Sequence, residues 1–270
     1  MTQSLSIAVA GAAGRMGRQL VAASLAAGHS ITGGTETAQS PHLGTDLGEL
    51  AGQKSIGILP VTDVVNAAAN AAVWIDFTVP AATLSALEAL KHTGVRAIVI
   101  GTTGFSDLEE QAIERAAEHF AIVKAGNFSL GVTLMTALTK LAASRLGPSW
   151  DIEILESHHR RKVDAPSGTA LMIGEAAAEG RGESLRDLKA APYDGPSAKR
   201  KTGTIGFAVR RMGDVIGQHD VTFGSDKELV SIGHVALDRS VFAEGAIEAA
   251  RWAMQAEPGL YDMNDVLSLG

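Results

Sequence analysis

Short apolar runs alternate with stretches of helical period through the first half of the chain, the pattern of strands buried on both faces of a sheet with helices packed over them. Ser6–Ala10 reads as a first strand, and Arg15–Ala27 follows with Met16, Leu20, Ala23 and Ala27 at helical spacing. Gly28 stands where a left-handed C-terminal cap is wanted. Val73–Thr78 and Val95–Ile100 are two more buried strands, with Pro80 opening the helix between them at a first-turn position where its missing N–H costs nothing. Ser106 and Glu109 form a capping box for a helix running to Phe120, and Ala121–Ala125 reads as another strand. The helical stretch Leu130–Leu146 stops at Gly147-Pro148, and the chain crosses to a second domain near it. There the pattern changes. Asp151–Glu156, Thr204–Arg211, Gln218–Phe223 and Leu229–Ala236 are strands with little helix between the last three, as in a largely antiparallel sheet. Arg181–Lys201, rich in Gly, Pro, Ser, Lys and Arg, reads as a long surface loop, and Val241–Ala256 as a closing helix. The expectation is an α/β chain: a doubly wound parallel sheet, then an α+β domain with a mixed, largely antiparallel sheet.

Composition narrows the partners. With 270 residues, two domains are affordable, and 23 basic against 30 acidic side chains leave a formal charge of −7, which argues against nucleic acid or an anionic membrane as partner. An anionic ligand must be drawn by a local basic cluster. No Lys or Arg precedes Arg15 and no long apolar run opens the chain, so neither a secretory signal nor a membrane span is expected, and the cytoplasm is the default compartment. The absence of Cys removes disulfides, thiolate nucleophiles and Cys-ligated metals together.

Gly11-Ala12-Ala13-Gly14-Arg15-Met16-Gly17 lies between the first strand and its helix, where Gly lets the backbone approach a pyrophosphate held at the helix N-terminus. A Gly-rich string alone also fits an ordinary turn. Glu36, nineteen positions after Gly17 at the end of a second strand-like run, raises the specificity, since an acidic side chain there accepts hydrogen bonds from the adenine-ribose hydroxyls. Thr37, Ala38, Gln39 and Ser40 follow, and the nearest basic residue after them is Lys54, so NADH is expected to serve at least as well as NADPH. Gly101-Thr102-Thr103-Gly104 and Ala125-Gly126-Asn127-Phe128 also follow strands, at the usual ligand edge of such a sheet; they read equally as turns or as contacts to the nicotinamide and its ribose.

The stretch His158-His159-Arg160-Arg161-Lys162 packs two His and three cations into five positions of an acidic chain. A solvated charge run is the plain alternative. Pro166 then ends the extended segment and Ser167 is suited to N-cap a helix, leaving the amides of Gly168 and Thr169 free for a carboxylate, with Lys162 and the Thr169 hydroxyl beside them. Adjacent strand residues face opposite ways, so one His can face a substrate as proton donor, and no spacing here favours a metal. His119, His219 and His234 read as structural or surface residues, with His219 and Asp220 as a candidate hydrogen-bonded pair.

These motifs, together with Asp76-Phe77-Thr78 and above all the run from His158 to Ala170, resemble the 4-hydroxy-tetrahydrodipicolinate reductase family over nearly the whole chain. The resemblance implies a Rossmann-like dinucleotide domain at 1–128, completed by a C-terminal helix within 240–270, and a substrate-binding and oligomerisation domain at 129–239 that builds a homotetramer. It implies transfer of a hydride from NADH or NADPH to a small cyclic dicarboxylate on the diaminopimelate route to lysine. The family's proton donor matches His158, its substrate-binding His matches His159, and its second donor or electrostatic stabiliser matches Lys162. Its carboxylate-binding turn matches Gly168 and Thr169. Its cofactor positions match Gly11 to Gly17, Glu36, Gly101 to Thr103 and Ala125 to Phe128. Arg161 stands where members often have His, and Thr37 where they often have a basic residue. Two rival readings are a related two-domain dehydrogenase of another small acid and a non-catalytic dinucleotide-sensing protein.

Overall fold

The computed structural model describes residues 4–196 and 198–269, so the outermost residues of both terminal expectations, and Ser197 within the expected 181–201 loop, lie outside the described residues. The chain divides into two compact units: the chain up to Ser129 together with Ser240–Ser268, and Leu130–Arg239.

In the first unit, β1 (Ser6–Ala10), β2 (Ser30–Gly34), β3 (Val73–Asp76), β4 (Ala97–Ile100) and β5 (Ala121–Lys124) alternate with α1 (Arg15–Ala26), the short α2 (Leu47–Leu50) and α3 (Val64–Ala68), α4 (Pro80–Leu90) and α5 (Asp107–Ala116). The sheet order is β10-β5-β4-β3-β1-β2, all pairs parallel. Its edge strand β10 (Gly259–Tyr261) comes from the far end of the chain, after α9 (Ser240–Ala253) and before α10 (Met263–Val266). The expected single helix of the C-terminal segment is therefore a helix, a three-residue strand and a further helical turn. The central strands read as continuous apolar runs because helices cover them: Trp74, Ile98, Ile100 and Ile122 pack with Leu87, Leu90, Ile113 and Phe120. Gly245 on α9 lets that helix lie against the Phe128 carbonyl, where a Cβ would come within 1.7 Å of the oxygen. The Ser106–Glu109 capping box forms as expected, though α5 ends at Ala116 and a turn carries the chain to Phe120.

In the second unit, α6 (Leu130–Leu146), β6 (Asp151–His158), α7 (Gly168–Gly180), α8 (Leu185–Leu188), β7 (Ile205–Arg211), β8 (Gly217–Gly224) and β9 (Leu229–Ala236) build a sheet of order β7-β6-β8-β9. The β6–β7 pair is parallel and the other two are antiparallel, the mixed sheet that was expected. Ile152, Ile154, Ile205, Val221 and Phe223 point from it into a core shared with Met135, Ile173 and Ala177 of α6 and α7. The expected 181–201 loop contains α8, because Ser184 caps it and Leu185 and Leu188 pack against that core.

Candidate active site

At the carboxyl end of β1 the chain turns through Gly11, whose φ of +59° is in the left-handed region, and Gly14 donates to the Gly11 carbonyl at 2.9 Å. Gly17 starts the buried side of α1 so close to this turn that a Cβ would sit 2.2 Å from the Gly11 oxygen. Ala12 and Ala13 are buried, Met16 is half-buried, and Gly14 and Arg15 face outward. This is the close-packed, outward-facing turn that a pyrophosphate requires. Glu36, just past β2, accepts from the Ala13 amide at 2.9 Å, so the acidic residue and the glycine turn are brought together. Sequence spacing missed Arg18. Its Nε donates to the Ala13 carbonyl at 2.7 Å and its Nη2 lies 3.1 Å from His42 Nε2, which puts a cation beside the same turn although none follows Glu36 closely in sequence.

The two further turns lie at the same edge of this sheet. Gly101 donates to the Asp76 carbonyl at 2.8 Å, and a Cβ on it would fall inside the Phe77 ring. The Thr102 hydroxyl, expected as a ligand group, is buried and engaged. It accepts from the Thr78 amide at 3.0 Å and from Thr83 at 3.0 Å, and lies 3.3 Å from Asp76 Oδ1. Thr103 is exposed. Asn127 Oδ1 accepts from Ser129 N at 2.8 Å, Gly126 is exposed, and Ala125 N donates to Ile100. The Phe128 ring is fully buried against Phe77, centroids 5.2 Å apart, so its side chain is not available to a ligand.

In the second unit, β6 carries Ile152, Ile154, Glu156 and His158 on one buried face. The apolar alternation thus ends in two ionisable groups. Glu156 Oε2 accepts from His158 Nδ1 at 2.6 Å and from Arg211 Nη1 at 2.7 Å, while Oε1 accepts from Arg211 Nη2 at 2.7 Å and from the Ser167 amide at 2.9 Å. Burial pushes the Glu156 carboxyl up, but Arg211, His158 and the Ser167 amide together hold it below the usual carboxylate value. An ionised carboxylate only accepts, so the His158 proton sits on Nδ1. Burial, with Lys162 and Arg211, lowers the His158 pKa against the pull of Glu156.

The strand ends at His158, so His159 lies in the turn, where its amide donates to the Val215 carbonyl at 2.7 Å. Lys162 Nζ is 2.8 Å from Asp164 Oδ1, and Arg161 pairs with Asp214 on the surface. Ser167 caps α7 through a bond from Ala170 N, as expected. Lys162 holds the Asp164 carboxyl, four residues before Gly168, below the usual carboxylate value. Thr169 follows in the first turn of α7. The His219–Asp220 pairing does not form, because Asp220 on the opposite face takes Gln218 at 2.9 Å. His219 instead shares the buried face with Val221 and Phe223, sits 3.2 Å from Ser167 Oγ, and meets the His158 ring edge-on with centroids 5.2 Å apart. Burial, then His158, pushes its pKa down to about 4. His119 is exposed and His234 half-buried. In this unit Glu156, Arg211 and His219 are the site residues that sequence reasoning missed, as Arg18 is in the first.

Residues 5–128 match the model described as dihydrodipicolinate reductase, N-terminus, and residues 131–267 the one for its C-terminus. The chain belongs to the dihydrodipicolinate reductase family. It is 52% identical to the 4-hydroxy-tetrahydrodipicolinate reductase of Parvibaculum lavamentivorans and 47% to that of Dinoroseobacter shibae, each match spanning 100% of both chains. The dipicolinate-bound dihydrodipicolinate reductase of Paenisporosarcina sp. TG-14 superposes with a TM-score of 0.75 at 25% identity, covering 96% of this chain and 98% of that one. An amine dehydrogenase of Mycobacterium smegmatis shares the fold at 14% identity and a TM-score of 0.65, over 96% and 95% of the two chains.

Proposed function

We propose that this chain reduces 4-hydroxy-tetrahydrodipicolinate to tetrahydrodipicolinate with NADH or NADPH, with loss of water, on the diaminopimelate route to lysine. The observation that carries the reading is the constellation at the end of β6: a buried imidazole held by a carboxylate, an ammonium two residues from an aspartate, and the capped N-terminus of α7, all within a family member matched along its whole length.

The close-packed turn Gly11–Gly17 holds the cofactor pyrophosphate and Glu36 its adenine ribose, while Gly101, Thr102, Thr103 and Ala125 to Phe128 face the nicotinamide end, largely through backbone groups. Bound, the dinucleotide supplies a hydride to the substrate ring. His158 then donates a proton from Nε2, and Lys162 stabilises the negative charge that develops beside it. His159, Gly168 and Thr169 bind the substrate carboxylates. A carboxylate arriving there takes over the Lys162 contact that Asp164 makes in this structure. Glu36 disfavours a 2′-phosphate while Arg18 can offset it, so NADH serves at least as well as NADPH. The assembly is a homotetramer working in the cytoplasm.

The test is absorbance-monitored oxidation of NADH and of NADPH with freshly generated substrate. Wild type is expected to turn over, and His158→Ala and Lys162→Ala each to lose about 10²–10⁴-fold in turnover with little change in NADH affinity. Absence of turnover with either cofactor despite NADH binding would leave a dinucleotide-binding protein without this activity.

A further inference from the structure

We infer that Glu156, clamped by Arg211, is a positioning residue for His158: it fixes the ring so that Nε2 carries the exchangeable proton, and the pair sets how readily that proton leaves. The inference rests on the reading of His158 as proton donor.

Glu156 is fully buried, yet each of its oxygens has two donors, from β6, β7 and the N-cap of α7. The sheet itself builds this clamp. Glu156 and His158 share a face of β6, and the parallel register sets Arg211 opposite His158. Arg211 is pinned further by donating to the Arg210 and Asp164 carbonyls, each at 2.8 Å. A purely structural ion pair would be complete with the bidentate guanidinium. Here the carboxylate also takes Nδ1 at 2.6 Å, and that bond orients the ring.

The opposite nitrogen meets the start of β8, where a Cβ at position 217 would lie 3.3 Å from Nε2. Gly217 leaves that space clear. The groups facing the imidazole are Glu156 from its own strand, Arg211 from β7, His219 from β8 with His234 paired behind it from β9, and Lys162 from the following turn. His219 stays neutral near and above neutrality, so it covers the ring without adding charge. A carboxylate alone beside a buried imidazolium would hold its proton too firmly for transfer, whereas the guanidinium offsets that charge. Glu156 and Arg211 therefore pull the His158 acidity in opposite directions.

The experiment is the pH profile of kcat/KM for wild type, Glu156→Gln, Arg211→Met and the double variant, with the ring nitrogen shifts of His158 in the wild-type protein recorded by NMR. A donor must be protonated, so activity falls as pH rises through its pKa. Glu156→Gln is expected to move that basic limb about one unit towards acid, Arg211→Met about one unit towards alkali, and the double variant to return between them, each unit being about tenfold in protonated fraction. The neutral ring is expected to carry its proton on Nδ1. A profile unmoved in both single variants, or a neutral ring protonated on Nε2, overturns the inference. If His158→Ala collapses turnover while the limbs stay put, the positioning role falls and the donor role stands. If His158→Ala keeps wild-type turnover, the donor reading falls with it. Should Glu156→Gln fail to fold, Arg211→Met and the wild-type ring tautomer decide the question.

Discussion

Asp76 and Glu156 each sit near the carboxyl end of a strand, one in each unit, and both are almost wholly removed from solvent. Their surroundings differ in kind. Asp76 Oδ1 is met by the Thr78 amide at 2.9 Å, the Thr78 hydroxyl at 2.5 Å and the Thr102 hydroxyl at 3.3 Å, while its buried Oδ2 has no partner among the described residues. Burial raises its pKa, and these neutral dipoles do not bring it back. Glu156 has a guanidinium and an imidazole as well as an amide, and its pKa is lowered despite burial. A buried carboxylate among hydroxyls favours its neutral form and organises a turn; one locked to a cation stays charged and organises an ionisable partner. Polar atoms near the proposed cofactor turns thus hold backbone in place, whereas those near the proposed substrate site hold charge.

The largest expected effect comes from Glu156→Ala. It leaves Arg211, only 19% exposed at its side chain, without its counter-charge, and removing one member of a buried pair costs about 3–5 kcal/mol. A lowered urea midpoint for unfolding is the readout. A midpoint equal to wild type would mean that Arg211 re-solvates freely and that the clamp contributes nothing to the fold. Asp76→Ala is expected to cost less, about 1–3 kcal/mol, because the amide and hydroxyls it abandons are neutral and the hydroxyls can rotate to other acceptors. If Asp76→Ala proved the more damaging, the distinction between a dipole-bound and a cation-bound carboxylate would fail.

The two regions also differ in how far sequence reveals them. Ser6–Ala10, the Ser106–Glu109 capping box, the Ser167 cap and Leu229–Ala236 are legible because each depends on local pattern or on a side chain bonding its own neighbours. β10 is not, since three residues carry no period and their partner β5 lies far back in the chain. The same limit hid Arg211, which only the β6–β7 register brings beside His158. Glu156 and His219 did leave a signal. Each falls in phase with apolar strand residues, Ile152 and Ile154 for the first and Val221 and Phe223 for the second, and a charged or titratable residue in phase with a buried face needs a partner there. The Lys162–Asp164 pair was hidden for another reason: a charge run shows where cations gather, not which nearby carboxylate one of them meets.

The smallest expected effect separates the two carboxylates by sign. A carboxyl whose folded pKa is depressed, as for Glu156, adds stability that is present above the unfolded value of about 4.3 and is lost as pH falls through the folded value. One whose folded pKa is raised, as for Asp76, adds stability that is full below the unfolded value of about 3.9 and is lost as pH rises through the folded one. Glu156→Gln should therefore lie furthest below wild type at neutral pH and approach it on acidification. Asp76→Asn keeps an Oδ1 acceptor for Thr78 and Thr102 and cannot ionise, so its deficit should shrink or reverse as pH rises from about 4 to 8. Urea midpoints of both variants and wild type at the two ends of that range measure the crossing directly. Parallel curves would show that the two carboxylates share one ionisation state across the range, and the contrast between the regions would then be one of geometry alone.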